Sequence, residues 1–318
     1  KGGKTKTVTP SVQILDLALD LKRDRAIGRL HDDLLRAKTL FMIFYNQSLR
    51  TRNSFEAGMT QLGGHAHFLD PGKIYTPAME GKEVAYTTER VSDVSRVLER
   101  MGHAIAIRCY GDPVDWEYGG AHALLREFAR WSDVPIINME DDIYHPCQGL
   151  ADALTLREHV AGGPNGRRCV LAWCWHPRPL PTAVPASAAL AAARLGMEVV
   201  VARPPGYDLD SDDMAAIEAV AGRNGGTVRL TDDLDEAVAG ADAVYAKSWG
   251  CLADFGDPQA EAARRAPHRG WIVNEERMSA TRDGAGVFLH CLPVRRNVVV
   301  TDGVLDGPWS RVTDQAEN

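Results

Sequence analysis

Short apolar runs alternate along this chain with stretches in which apolar residues recur at helical spacing. Runs at Thr39 to Tyr45, His65 to Leu69, Ala104 to Arg108 and Pro135 to Asn138 have the length of buried strands, and Ser54 to Leu62, Thr88 to Met101 and Ala121 to Trp131 carry the helical period. The stretch Gln148 to His159 reads as a helix opening just behind Pro146, and it is the expected crossing between two lobes. Beyond it the alternation resumes, with strands expected at Cys169 to Trp175, Glu198 to Ala202, Thr227 to Leu230, Ala243 to Ala246, Trp271 to Asn274 and Gly286 to His290. The Ala-rich helix from Thr182 to Leu195 is suited to close packing on its sheet. This order predicts an α/β protein built on doubly wound parallel sheets. No G-x-G-x-x-G joins a strand to a helix, so no dinucleotide cofactor is expected.

Length changes the picture next. A chain of 318 residues exceeds what one core organises, so two domains are expected, residues 1–147 and 148–318, with a cleft between them. The net charge of -7 comes without any basic block, and a nucleic acid would be repelled rather than steered in. An anionic ligand must therefore meet a local basic pocket. The Ala-rich stretch from Ala183 to Val201 is cut by Arg194 and Glu198, so no run reaches membrane-spanning length and no membrane partner is expected. The basic opening from Lys1 to Thr7 leads into no apolar signal segment, so it reads as a frayed terminus and the expected location is cytoplasmic. The six cysteines form no zinc spacing, so neither a metal nor a disulfide is expected.

Four stretches carry candidate chemistry. Ser48-Leu49-Arg50-Thr51-Arg52 sits where a strand gives way to a helix, and free N–H groups, hydroxyls and arginines there make an anion cradle. Read alone, it is equally a polar helix start with solvated arginines. Arg108 ends a buried strand, the edge at which open α/β sheets bind ligands, although it could instead pair with a helix carboxylate. His145-Pro146-Cys147-Gln148 offers a proton donor for a developing oxyanion and an amide for a carbonyl or phosphate oxygen; a lone His-Pro turn is more often structural. His290-Cys291-Leu292-Pro293 runs out of a strand beside Arg295 and Arg296, its bend leaving carbonyls free to accept from an amide or amine. A nucleophilic role for Cys291 is the least favoured reading, since a cysteine in a sheet is usually inert packing.

Together and in this order, these four stretches resemble the signature set of the aspartate and ornithine carbamoyltransferase family. The resemblance runs from about residue 36 to the end. His176-Pro177-Arg178-Pro179-Leu180, Lys247-Ser248-Trp249-Gly250 and the closing Asp314-Gln315-Ala316-Glu317-Asn318 are similar to the N-acetylornithine and N-succinylornithine branch. The resemblance implies that Ser48, Leu49, Arg50 and Thr51 hold the phosphate of carbamoyl phosphate, and that Arg108 and His145 polarise its carbonyl oxygen. It further implies that Gln148 and the carbonyls of Cys291 and Leu292 orient the carbamoyl NH2, and that Arg295 completes the anion site. Thr88, Glu140, His176, Lys247, Glu276 and Leu292 are the implied acceptor-binding residues. Transfer by positioning and charge stabilisation needs no cofactor. The family also implies a homotrimer with sites at subunit interfaces, the segment near residues 73–90 reaching into a neighbour. It implies a trefoil knot made by the loops Pro177 to Pro185 and Ser248 to Pro258, and relatives carry a further helix beyond the position of Asn318.

Some positions depart from that branch. Thr88 stands where the acetylornithine enzymes have Glu and the succinylornithine enzymes Pro, Thr76 replaces a Trp, Val299 a Lys and Glu276 an Arg. A Glu near the acceptor suits a free ammonium group, which points to a short diamino acid such as 2,3-diaminopropionate. The alternatives are N-acetylornithine or N-succinylornithine as acceptor, with Glu276 a solvated helix residue, or a catalytically silent regulatory protein on the same fold.

Overall fold

The computed structural model describes residues 12–73, 77–83 and 89–318, and the chain forms two compact units, Lys1–Ile143 and Tyr144–Asn318. The first unit opens with α1 (Val12–Ala26) and continues through β1 (Thr39–Phe44), α2 (Arg50–Gln61), β2 (His65–Leu69), α3 (Val91–Met101), β3 (Ala104–Arg108), α4 (Gly120–Trp131) and β4 (Ile136–Glu140). Its four strands pair in parallel in the order β2-β1-β3-β4. Side chains alternate across a strand, so Ile43, Ile105 and Ile107 pack on Leu124, Leu125 and Phe128 of α4, while Leu40, Met42, Phe44 and Ala106 meet Phe55 and Met59 of α2. Both faces are covered, as near-continuous apolar runs in a parallel sheet require.

The second unit runs α5 (Pro146–His159), β5 (Arg168–Trp173), α6 (Ala183–Arg194), β6 (Glu198–Ala202), α7 (Ser211–Arg223), β7 (Thr227–Thr231), α8 (Leu234–Val238) and β8 (Ala243–Lys247). It closes with α9 (Pro258–Arg265), α10 (Glu275–Ser279), β9 (Val287–Leu289), α11 (Asp302–Leu305) and α12 (Val312–Glu317). The five strands are again parallel, in the order β7-β6-β5-β8-β9. Small residues let α6 approach its neighbours closely. A Cβ on Gly149 of α5 would stand 3.2 Å from the Ser187 carbonyl oxygen, a tight approach that the neighbour would have to yield to.

Three sequence expectations change. α2 starts at Arg50, a full turn before Ser54, because the Arg-Thr-Arg-Asn opening carries no apolar period to reveal a helix. Trp271 to Asn274 is not a strand: Val273 makes a single bridge to Val300, and Asn274 instead caps α10 by accepting from the Arg277 N–H at 3.0 Å. Helix α1, which the apolar pattern did not reveal, buries Leu15 and leaves Leu17 exposed. Thr76 and Thr88 lie outside the described residues.

Strand order reverses between β1 and β3 in one unit and between β5 and β8 in the other, and ligands of open α/β sheets bind at such points, beyond the carboxyl ends of the strands. Ser48 to Thr51 follow β1, Arg108 ends β3, His176 follows β5 and Lys247 ends β8. The loops expected to form the knot meet where the Gly250 N–H donates to the Leu180 carbonyl at 2.9 Å. Buried Arg265 pins them further, pairing with Glu261 and donating to the carbonyls of His176, Arg178 and Trp249 at 2.6, 3.0 and 3.3 Å.

Candidate active site

In the first unit the loop after β1 is locked to the loop after β3 by one side chain. Asn46 donates from Nδ2 to the Tyr110 carbonyl at 2.9 Å and accepts the Tyr110 N–H at 2.8 Å. Ser48 Oγ accepts from the Thr51 N–H at 3.2 Å, so hydroxyl and helix start are built together, with Leu49 exposed between them. The two arginines of this turn then part. Arg52 pairs with Glu56 at 2.9 Å and lies 3.9 Å over the Phe68 ring, whereas half-buried Arg50 makes no ion pair among the described residues.

Arg108 is 9% exposed and forms an ion pair with Glu140, its register partner at the end of β4. Its Nη2 donates to the Tyr110 hydroxyl at 3.1 Å, and its Nε is buried with no hydrogen-bond partner among the described residues. Glu140, read from the sequence as an acceptor ligand, thus holds Arg108 in place. A buried donor left without a partner is costly, so Nε marks a position where an acceptor would be stabilised.

In the second unit His145 caps α5. Its N–H donates to Ser187 Oγ at 2.8 Å and its Nδ1 accepts from the Gln148 N–H at 3.3 Å. An Nδ1 that accepts leaves the proton of the neutral ring on Nε2, making His145 a donor there. His290 is set the same way, its Nδ1 accepting from the Leu292 N–H at 2.8 Å. Leu292 itself sits at φ 53°, a left-handed conformation uncommon for a bulky residue, of the kind found at functional sites.

Lys247 ends β8 with its Nζ 3.5 Å from Cys291 Sγ. Burial pushes the His176 imidazole below its ordinary range, against its hydrogen bond to the Arg178 carbonyl, and the charges of Arg295, Arg265 and Lys247 add to the lowering. Arg295 and Arg296 divide as Arg50 and Arg52 do. Arg296 is held by Asp302 and Asp306 at 2.7 Å each, and exposed Arg295 makes no ion pair among the described residues. Glu276 is exposed on α10 without an ion pair among the described residues, and Val299 is a buried core residue.

Sequence reasoning missed the residues that hold these side chains. Asp152 lies one helical turn beyond Gln148, a spacing that puts both on one face of α5, and it accepts from Gln148 Nε2 at 2.8 Å. It also accepts from Gln315 Nε2 at 2.6 Å. Burial pushes the Asp152 carboxyl up to about 7, against the two amides, the Tyr245 hydroxyl and the Lys247 charge, which favour ionisation. That is above the ordinary 3.8, so the folded protein keeps a proton that the unfolded chain releases. The stabilising contribution is fully present below about pH 4 and is lost as pH rises through about 7, at most roughly 1.4 kcal/mol per pH unit. Asp152→Asn therefore gains stability relative to the unmodified protein between these limits. Urea unfolding near pH 5 and near pH 8 measures it, and a gap between the two proteins that does not widen with pH counts against the assignment.

Comparison with known proteins adds a family to this geometry. Residues 5–158 match the aspartate/ornithine carbamoyltransferase carbamoyl-P binding domain, and residues 171–318 match the Asp/Orn binding domain of the same enzymes. The N-acetylornithine carbamoyltransferase of Xanthomonas campestris pv. campestris is 45% identical over 294 residues, covering 89% of this chain and 84% of that protein. The ornithine carbamoyltransferase of Methanoculleus marisnigri is 38% identical over 95% of this chain and 86% of its own. An acetylornithine transcarbamylase crystallised with acetylcitrulline superposes with a TM-score of 0.88 at 42% identity, covering 96% of this chain and 92% of that one. The chain belongs to the aspartate/ornithine carbamoyltransferase family. It is a carbamoyltransferase with two parallel-sheet α/β domains. Among the described residues no helix is long and apolar enough to cross a membrane.

Proposed function

We propose that this enzyme moves the carbamoyl group of carbamoyl phosphate onto the side-chain amine of a small diamino acid or its N-acyl derivative, releasing phosphate. The observation that carries the reading is Arg108, fixed by Glu140 and Tyr110 at a strand's carboxyl end with a buried Nε unmatched. Ser48, the Leu49 N–H, Arg50 and Thr51 take the phosphate, and Arg295 adds charge to it. Arg108 and the Nε2–H of His145 donate to the carbonyl oxygen, Gln148 and the carbonyls of Cys291 and Leu292 receive the NH2, and Lys247, His176 and Glu276 face the acceptor. The neutral amine forms a C–N bond to the carbonyl carbon, charge gathers on the oxygen, and the C–O bond to phosphate then breaks as the amine passes a proton to the leaving phosphate. A mutant N-acetyl-L-ornithine transcarbamylase has been solved with carbamyl phosphate and N-succinyl-L-norvaline, which supports an anion and an acyl amino acid as joint ligands. Assembly as a homotrimer in the cytoplasm accords with this reading.

His145→Asn is expected to lower kcat more than it weakens carbamoyl phosphate binding, because the bond to the oxygen strengthens as charge develops. Steady-state kinetics beside calorimetric binding separates the two. Equal losses would reduce His145 to a ground-state contact.

Two acceptors are supported by different observations. The N-acetylornithine carbamoyltransferase at 45% identity supports an acylated ornithine. Glu276, unpaired among the described residues, together with the apolar Val299 supports a free short diamino acid such as 2,3-diaminopropionate. Phosphate release assayed over N-acetylornithine, N-succinylornithine, ornithine and 2,3-diaminopropionate decides between them. A preference of about a hundredfold or more, roughly 2.7 kcal/mol, for either acylated ornithine would rule out the free diamino acid.

A further inference from the structure

We propose that Asp152 is a positioning residue that fixes which end of the Gln148 amide is offered to substrate, making the site selective for carbamoyl phosphate over acetyl phosphate. The inference rests on the reading above, in which Gln148 meets the carbamoyl NH2.

Hydrogen-bond polarity is passed along a chain of contacts. It begins at a group whose sense is fixed, the backbone N–H of His290, which can only donate and gives its proton to Gln315 Oε1 at 2.9 Å. With Oε1 so committed, the other end of Gln315 must be its NH2, and Nε2 donates to Asp152 Oδ1 at 2.6 Å. In the ionised carboxylate, the form present above about pH 7, Oδ1 can only accept. The end of Gln148 that meets the same Oδ1 at 2.8 Å must then also be an NH2. An amide whose NH2 is held has only its carbonyl left to offer. Gln148 Oε1 makes no hydrogen bond among the described residues, and Gln148 is half-buried beside His145.

An acceptor there distinguishes two similar molecules. Carbamoyl phosphate carries an NH2 with two protons to give, and acetyl phosphate has a methyl group in its place. Flipping the Gln148 amide would reverse the preference, since an NH2 facing an NH2 leaves both donors unmatched. The orientation comes from the loop that carries His290, through α12, to α5, and each link is buried. Asp152 and Gln315 are 1% exposed each. A carboxyl at this depth is costly as packing alone, whereas an acceptor for two amides accounts for it.

Two substitutions separate orientation from charge and from packing. Asp152→Asn keeps an acceptor oxygen in the Oδ1 position, and Asp152→Leu keeps the shape and removes it. The measured quantity is the KM for carbamoyl phosphate relative to the inhibition constant of acetyl phosphate. In Asp152→Asn this ratio is expected to stay within about twofold of the unmodified enzyme. In Asp152→Leu carbamoyl phosphate is expected to weaken about tenfold, the equivalent of one lost hydrogen bond, while acetyl phosphate changes less than about twofold. An unchanged ratio in Asp152→Leu overturns the proposal, as does an equal loss for both ligands, or a ratio lost in Asp152→Asn as well. If Asp152→Leu does not fold, hydrogen exchange in the unmodified, 15N-glutamine-labelled protein provides the test. The Gln148 side-chain protons are expected to exchange at least about tenfold more slowly than those of exposed Gln47 and Gln259, and equal rates overturn the idea. A separate control, Gln148→Leu, tests the underlying reading: if carbamoyl phosphate binding is indifferent to it, the site assignment fails rather than the role of Asp152.

Discussion

Arg50→Ala is expected to abolish measurable turnover while the protein folds as before. Arg50 stands in the first turn of α2, half-buried, with no ion pair among the described residues, so its removal leaves no buried charge behind and stability should move by less than about 0.5 kcal/mol. What it removes is the cation facing the phosphate, and a phosphate in a partly desolvated site cannot be held without one. Retention of more than about a tenth of kcat/KM, a loss under roughly 1.4 kcal/mol, would count against the phosphate assignment. Arg52→Ala is the built-in contrast. It loses the Glu56 pair and the Phe68 stack and should show in the unfolding midpoint before it shows in turnover.

The second large effect is at Arg108. Arg108→Met should lose turnover and, unlike Arg50→Ala, also destabilise the protein by about 3–5 kcal/mol, because it strands the Glu140 carboxylate at 6% exposure without its partner. Adding Glu140→Met to Arg108→Met removes the stranded charge. The double variant should recover most of the stability in urea unfolding and none of the activity. If Arg108→Met unfolds no more easily than the unmodified enzyme, Glu140 has another way to be satisfied and the ion pair is not what seats Arg108. If the double variant regains turnover, Arg108 does not touch the substrate.

Much of the fold was legible in the sequence because a parallel sheet covered on both faces writes itself as apolar runs of strand length. β1, β3, β6 and β8 fall on such runs, within a residue or so at their ends. Where polar groups decided the structure the pattern had no purchase. The first turn of α2 is four polar residues organised by a side-chain hydrogen bond from the Thr51 N–H to Ser48 Oγ. At Trp271 to Asn274 the run is apolar enough for a strand, yet the Asn274 cap turns the chain into α10 after a single bridge.

The same division holds for the candidate site. Sequence alone determined the chemical inventory: which residue types stand at the carboxyl ends of which strands, in an order that the carbamoyltransferase family shares. The resemblance singled out Arg50 over Arg52 and Arg295 over Arg296, but it could not give the reason, because that depends on where Glu56, Phe68, Asp302 and Asp306 fold to. Nor could it reveal that Glu140 serves Arg108, or that Asp152 and Gln315 hold Gln148, since these partners are joined across strands and helices far apart in the chain. Residue type fixes what a group can donate or accept, while only the tertiary structure decides which groups are already paired, and an unpaired group is what a ligand finds.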